Sequence, residues 1–103
     1  MIKAHQGFMF ALKTNQILYT NLVNDTRLSV SHFGIYMALV ILCHKNDLIN
    51  PFPISRKSIM ELAHINSIVT YHKCMEQLGL FGYIIYSPSY SYYQRSTVCL
   101  LLF

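Results

Sequence analysis

The chain has 103 residues, 53% of them hydrophobic, and a net charge of +4 from eight Lys and Arg against four Asp and Glu. That length fits one domain around a single core. The four acidic residues, Asp25, Asp47, Glu61 and Glu76, are too dispersed for a paired-carboxylate site. The 12% of charged residues is about half the usual share, so part of the surface is expected to meet a partner or a second copy, and the positive balance suits a polyanion.

The cysteines, Cys43, Cys74 and Cys99, form no C-x-x-C pair, and the histidines give no H-x-x-x-H spacing. Metal-ligand geometry needs such clusters, so each thiol reads as a small core hydrophobe, reduced and in the cytoplasm. No secretory signal is read at the start of the chain. The longest apolar run, Phe33 to Cys43, falls well short of the roughly 20 residues that span a bilayer. There is no Gly-rich phosphate loop and no Cys-His dyad, since His72 and Cys74 point to opposite sides of a helix. The expectation is no enzyme, no cofactor, no metal, no membrane and no small-molecule substrate.

Met1 to Lys13 gives no firm pattern. From Thr14, the residues Ile17, Leu18, Leu22 and Val23 make a short apolar stripe, and Asn24 ends the helix. Asp25-Thr26-Arg27 connects it to the longest helix, Ser29 to Lys45, capped by Ser29 or Ser31. Phe33, Tyr36, Met37, Val40, Ile41 and His44 fall on one broad face, but Leu39, Leu42 and Cys43 make this helix apolar nearly all round. Its excess apolar surface invites a dimer contact with the Thr14 to Asn24 helix. Asn50-Pro51-Phe52-Pro53-Ile54 is extended because residues before proline avoid the α region, with one or two residues of pairing expected at Ile54.

Ser55 then caps a helix over Arg56 to His64, with Ile59, Leu62 and Ala63 as its apolar stripe. The pattern breaks at His64-Ile65-Asn66, and Asn66 or Ser67 caps the next helix. There Ile68, Tyr71, Met75 and Leu78 face inward; Ser67, Val69, Thr70, Lys73, Glu76 and Gln77 face away; His72 and Cys74 lie at the edges. Gly79 and Gly82 end it. Tyr83 to Tyr86 and Thr97 to Leu102 are strands, joined by the hydroxyl-rich loop Ser87 to Ser96.

The run Thr70-Tyr71-His72-Lys73-Cys74-Met75-Glu76-Gln77-Leu78, with Gly82-Tyr83-Ile84 after it, resembles the recognition helix and wing entry of winged-helix transcription regulators. With the Ile54-Ser55-Arg56 helix start and the Tyr86-Ser87-Pro88-Ser89-Tyr90 wing, it is similar to small winged-helix proteins on mobile elements of Bacteroidetes. The similarity covers Ser29 to Leu102. It departs at Ser91-Tyr92-Tyr93-Gln94-Arg95, where that family has a Pro and a Gly-Ser pair, so the wing tip does not carry over. The resemblance implies an α+β winged helix-turn-helix domain, with 1–28 as an N-terminal extension and 29–103 as the core.

For such a domain the expected partner is double-stranded DNA, bound by a homodimer acting as a regulator or accessory factor of a mobile element. Ser55, Arg56 and Lys57 would meet phosphate at a helix start, where two cations otherwise oppose the helix dipole. Ser67, Thr70 and Lys73 would face the major groove, Lys73 reaching guanine or a phosphate and Thr70 a phosphate or a thymine methyl, with His72 at the edge. Tyr90 and Arg95 would meet backbone or minor groove. The competing expectation is a winged-helix protein-interaction module, which gains if Glu61 or Glu76 sits among these cations. A replication-initiator fragment is a third class, disfavoured by the absence of a second domain at this length.

Overall fold

The computed structural model describes residues 20–91 and 93–101. The segment 1–13, most of the helix expected from Thr14, the loop residue Tyr92 and the last two residues lie outside these; residues 20–24 are helical. The described elements then run α1 (Val30–Lys45), β1 (Phe52–Pro53), α2 (Arg56–Ala63), α3 (Ile68–Leu80), β2 (Ile84–Ser87) and β3 (Thr97–Leu100). The class is α+β, with helices packed on a 3-stranded antiparallel sheet of order β1-β3-β2.

Ser29, not Ser31, caps α1. Its N–H donates to His32 Nδ1 at 2.8 Å, a histidine standing where a capping box usually has Glu or Gln. Accepting that proton fixes the neutral tautomer, so His32 Nε2 carries the hydrogen and donates to Gln77 Oε1 at 2.7 Å. This joins α1 to α3 through a buried polar pair. It also corrects the outward placement of Gln77, which is half-buried and engaged.

The buried face of α1 is His32, Ile35, Tyr36, Ala38, Leu39, Val40 and Cys43. Met37 and Ile41, expected inside, are 44% and 40% exposed, and His44 is exposed. A helix apolar on nearly every side carries no period to choose a face, so packing chose it. Gly34 decides the contact: a Cβ there would stand 3.2 Å from the Ala63 carbonyl oxygen of α2. On α2, Ile59 is fully buried and Ala63 half-buried, but Leu62 is exposed and Met60 takes the inner place beside Ile59.

Between α2 and α3, His64 adopts the left-handed region at φ 57°. The Ile65 N–H then returns to the Met60 carbonyl at 2.9 Å, closing a Schellman turn. Ser67 rather than Asn66 caps α3, accepting from Thr70 N–H at 3.2 Å. Inside α3 the packed residues are Tyr71, Cys74, Met75 and Leu78. Cys74, expected at the edge, is therefore core, and Ile68, expected inside, is 47% exposed. Ile68 is the first residue of the helix and lines an open cleft with Met60 and Ile65. Burial pushes the thiols of Cys43 and Cys74 up in pKa, which keeps them neutral. Gly79 does not end the helix, which continues to Leu80; Gly82, at φ 88°, makes the turn.

β1 pairs Phe52 with Val98 and Pro53 with Thr97. Pro53 has no N–H to give, so the next bond comes from Ile54 N–H to Ser96 O at 2.9 Å. The ladder thus begins two residues ahead of the expected site and ends there. Asn50 extends the sheet edge with its side chain: Nδ2 donates to Leu100 O at 2.7 Å and Oδ1 accepts from Leu100 N–H at 2.9 Å. β2 and β3 form a hairpin from Ile84↔Leu100 to Ser87↔Thr97.

The connector at Asp25 is a latch the sequence did not reveal. Asp25 accepts from Arg27 Nη2 and from the Tyr83 hydroxyl, both at 2.7 Å. Arg27 also lies 4.1 Å over the Phe81 ring. The Arg27 and Tyr83 hydrogen bonds hold the Asp25 carboxyl well below the usual carboxylate range.

Two outcomes follow for stability. Gly34→Val should lower unfolding free energy by about 2 kcal/mol or more, because the branched Cβ meets backbone; urea melts that match wild type would remove the close approach from this account. Asp25 ionises more readily when folded, so its contribution is full above its unfolded pKa of about 3.9 and is lost as pH falls toward the folded value. The Tm advantage of wild type over Asp25→Asn should therefore be constant above about pH 5 and shrink below about pH 4. A gap that ignores pH down to about pH 2 would rule the latch out.

Candidate nucleic-acid interface

Three separate segments meet at one surface: the start of α2, the middle of α3 and the hairpin. Ser55 sits just before α2, and its Oγ accepts from Ser58 N–H at 3.2 Å. That cap uses one of the free N–H groups of the first turn and leaves those of Arg56 and Lys57 without an intrahelical acceptor. Both side chains are exposed.

Beside them lies a cleft of about 390 Å³, lined by Ile54, Arg56, Lys57, Tyr71, His72, Tyr86, Pro88, Ser89, Tyr90 and Ser96. Four of the nine residues singled out from the sequence therefore share one cleft: Arg56, Lys57, His72 and Tyr90. No carboxylate lines it. Tyr71 is its floor, buried among core residues; burial, with Tyr86 beside it, pushes the phenol up to about 12 and keeps it neutral. Tyr71 also holds His72, ring edge to ring face, with centroids 5.1 Å apart. The hairpin wall is set by Ser89 N–H donating to Ser96 Oγ at 2.9 Å.

Tyr90 is 97% exposed and shared between clefts. On its other side, Arg95 lies with Gln94, Pro53 and Ser87 to Ser91 along a second cleft of about 720 Å³. Arg95 thus reaches the same side of the hairpin as Tyr90. Ser67, Thr70 and Lys73 line none of these clefts. Ser67 is exposed with its oxygen committed to the cap, Thr70 is half-buried, and Lys73 projects from the open face of α3.

Two acidic residues lie in neighbouring clefts. Glu61 shares a cleft of about 420 Å³ with Arg56, Lys57 and Ile68, and Glu76 shares one of about 620 Å³ with His72 and Tyr90. The open side of α3 also carries Val69 and Leu80, 78% and 80% exposed. Tyr86, Ser89 and Ser96 were missed as site residues. Their signal was faint: Tyr86 is one more β-prone aromatic, and only strand register shows that it faces α3.

Among the described residues no group of His, Cys, Asp and Glu is placed to hold a metal ion, and no helix is long and apolar enough to cross a membrane. Compared with protein families, curated proteins and solved structures, the chain matches none.

Ser55→Asp separates fold from electrostatics here. Aspartate caps as well as serine and suits the dipole, so Tm should stay within a few degrees while affinity for polyanions, read on a phosphocellulose column, falls. Retention at unchanged salt would mean that the start of α2 meets no anion.

Proposed function

We propose that the chain is a winged helix-turn-helix domain that binds double-stranded DNA, with α3 as the recognition helix and β2 and β3 as the wing. The observation that carries this is the carboxylate-free cleft holding Arg56, Lys57, His72 and Tyr90 between α2, α3 and the hairpin. Residues far apart in sequence bring Arg56 and Lys57 into one cleft with His72 and Tyr90, and paired cations are what a phosphate backbone attracts. The element order and the sheet order β1-β3-β2 are compatible with that fold.

In this reading Arg56, Lys57 and Arg95 hold phosphates, and the first-turn N–H groups of α2 add to the first of these contacts. Lys73, on the open face of α3, meets base edges or a phosphate in the major groove, with Thr70 and Ser67 beside it. Binding is the whole activity; there is no chemical step. Two copies, joined through apolar surface such as Met37 and Ile41, would place their α3 helices about one DNA turn apart. The role as a regulator or accessory factor of a mobile element rests on the sequence resemblance alone.

A second reading has one observation in its favour. Glu61 shares a cleft with Arg56 and Lys57, Glu76 shares one with His72 and Tyr90, and Val69 and Leu80 stand exposed on α3. That mixed face also suits a protein partner.

Selection from a random duplex pool at physiological salt decides between them: an enriched motif supports the DNA reader, and no binding even at low salt leaves the protein-interaction module. If about four phosphates are neutralised per subunit, log K against log salt should slope near −3.6, and about twice that for a dimer. A flat response between about 50 and 200 mM salt would exclude these phosphate contacts. Lys73→Ala should relax sequence preference if it reads a base, or weaken all sequences alike if it holds a phosphate; neither change would take α3 out of the groove.

A further inference from the structure

The same cleft also carries rings that contact with a phosphate backbone alone does not call for. Its volume is about 390 Å³. It is lined by two cations, Arg56 and Lys57, beside the uncommitted first-turn N–H groups of α2, which suit a phosphate. Tyr90 lines it too, its ring 97% exposed and carried by the hairpin loop rather than by the core. His72, fixed against Tyr71, and Tyr86 supply further rings, and Ser89 and Ser96 line the wall between. The neighbouring clefts along α2 and α3 each carry a glutamate, while this one carries none.

A ring that meets water on nearly all its surface is free to stack on a base. In duplex DNA each base already stacks on its neighbours, so only an unpaired or extruded base can reach it. We propose that this cleft takes one unpaired nucleotide of the bound DNA, its base stacked on Tyr90 and its phosphate held by Arg56 and Lys57. The protein then prefers duplex with an unpaired nucleotide over fully paired duplex of the same sequence. This rests on the DNA-binding reading and adds the kind of DNA to it.

The test compares one sequence as an intact duplex and with a single-nucleotide bulge, against wild type, Tyr90→Ala and Tyr90→Phe. Tyr90 is exposed, so neither change threatens the fold. Wild type should bind the bulged duplex on the order of tenfold more tightly than the intact one. The ratio should fall to about one in Tyr90→Ala and persist in Tyr90→Phe, which keeps the ring. A fluorescent adenine analogue at the bulge should be quenched by wild type and Tyr90→Phe but not by Tyr90→Ala. Equal affinity for both duplexes in wild type, with salt-sensitive binding retained, overturns the nucleotide pocket and leaves the DNA reader standing. A preference that survives Tyr90→Ala also overturns it. Absence of binding to either duplex at low salt overturns both.

Discussion

The seat of α1 on α2 and α3 is the constraint on which the rest of the molecule depends. At Gly34 the helices approach so closely that a Cβ would lie 3.2 Å from the Ala63 carbonyl oxygen. That approach lets Ile35, Tyr36 and Leu39 be fully buried in one cluster with Ile59, Met75 and Leu78. Full burial of a large apolar side chain is worth about 1.5–3 kcal/mol, so pushing α1 outward by tenths of an ångström weakens many contacts at once. His32 adds direction to this packing. Its Nε2–H to Gln77 bond ties α3 to α1 beside the buried face of Tyr71, Cys74, Met75 and Leu78.

The surface proposed to meet DNA inherits its geometry from that seat. α2 must end at Ala63 beside Gly34, which places its start, with Arg56 and Lys57, against the hairpin. α3 buries Tyr71, Cys74, Met75 and Leu78, which leaves Lys73 on its open face and turns His72 to the cleft. The hairpin is held from two sides, by the ladder of β3 with β1 and by Asn50 bonded twice to Leu100. Tyr90 stands in the loop between these strands, beside Ser89, whose N–H is held by Ser96.

Stability and recognition also divide the serines between them. Ser29, Ser55 and Ser67 each precede a helix, and the hydroxyls of Ser55 and Ser67 accept backbone N–H groups of the next turn. Their first duty is capping. Any contact of Ser67 with a base would use the remaining hydroxyl hydrogen, so Lys73 and the cations at α2 are stronger anchors for the proposed complex than the serines.

Local chemistry was legible in the sequence. The cap at Ser55, caps at Ser29 or Ser31 and at Asn66 or Ser67, a glycine turn after α3, the extended Pro51 to Ile54 stretch and the two hairpin strands all follow from short-range preferences of named residue types. What the sequence could not decide was orientation. α1 is apolar on every side, so its buried face moved from Met37 and Ile41 to Ile35 and Leu39 once Gly34 found Ala63. On α3, Ile68 and Cys74 exchanged roles because burial depends on what lies opposite, not on hydrophobicity alone. The Asp25–Arg27–Tyr83 latch, the His32–Gln77 pair and the joining of Arg56 to Tyr90 span long separations, and no local period records them. Sequence alone determined the order and type of the helices and strands and their caps and turns, because preferences within a few residues set those; the strand limits came from pairing with β3, which began at Phe52 and ended at Ser87. Tertiary structure decided which faces are inside and which residues share a cleft, because those outcomes belong to pairs of elements.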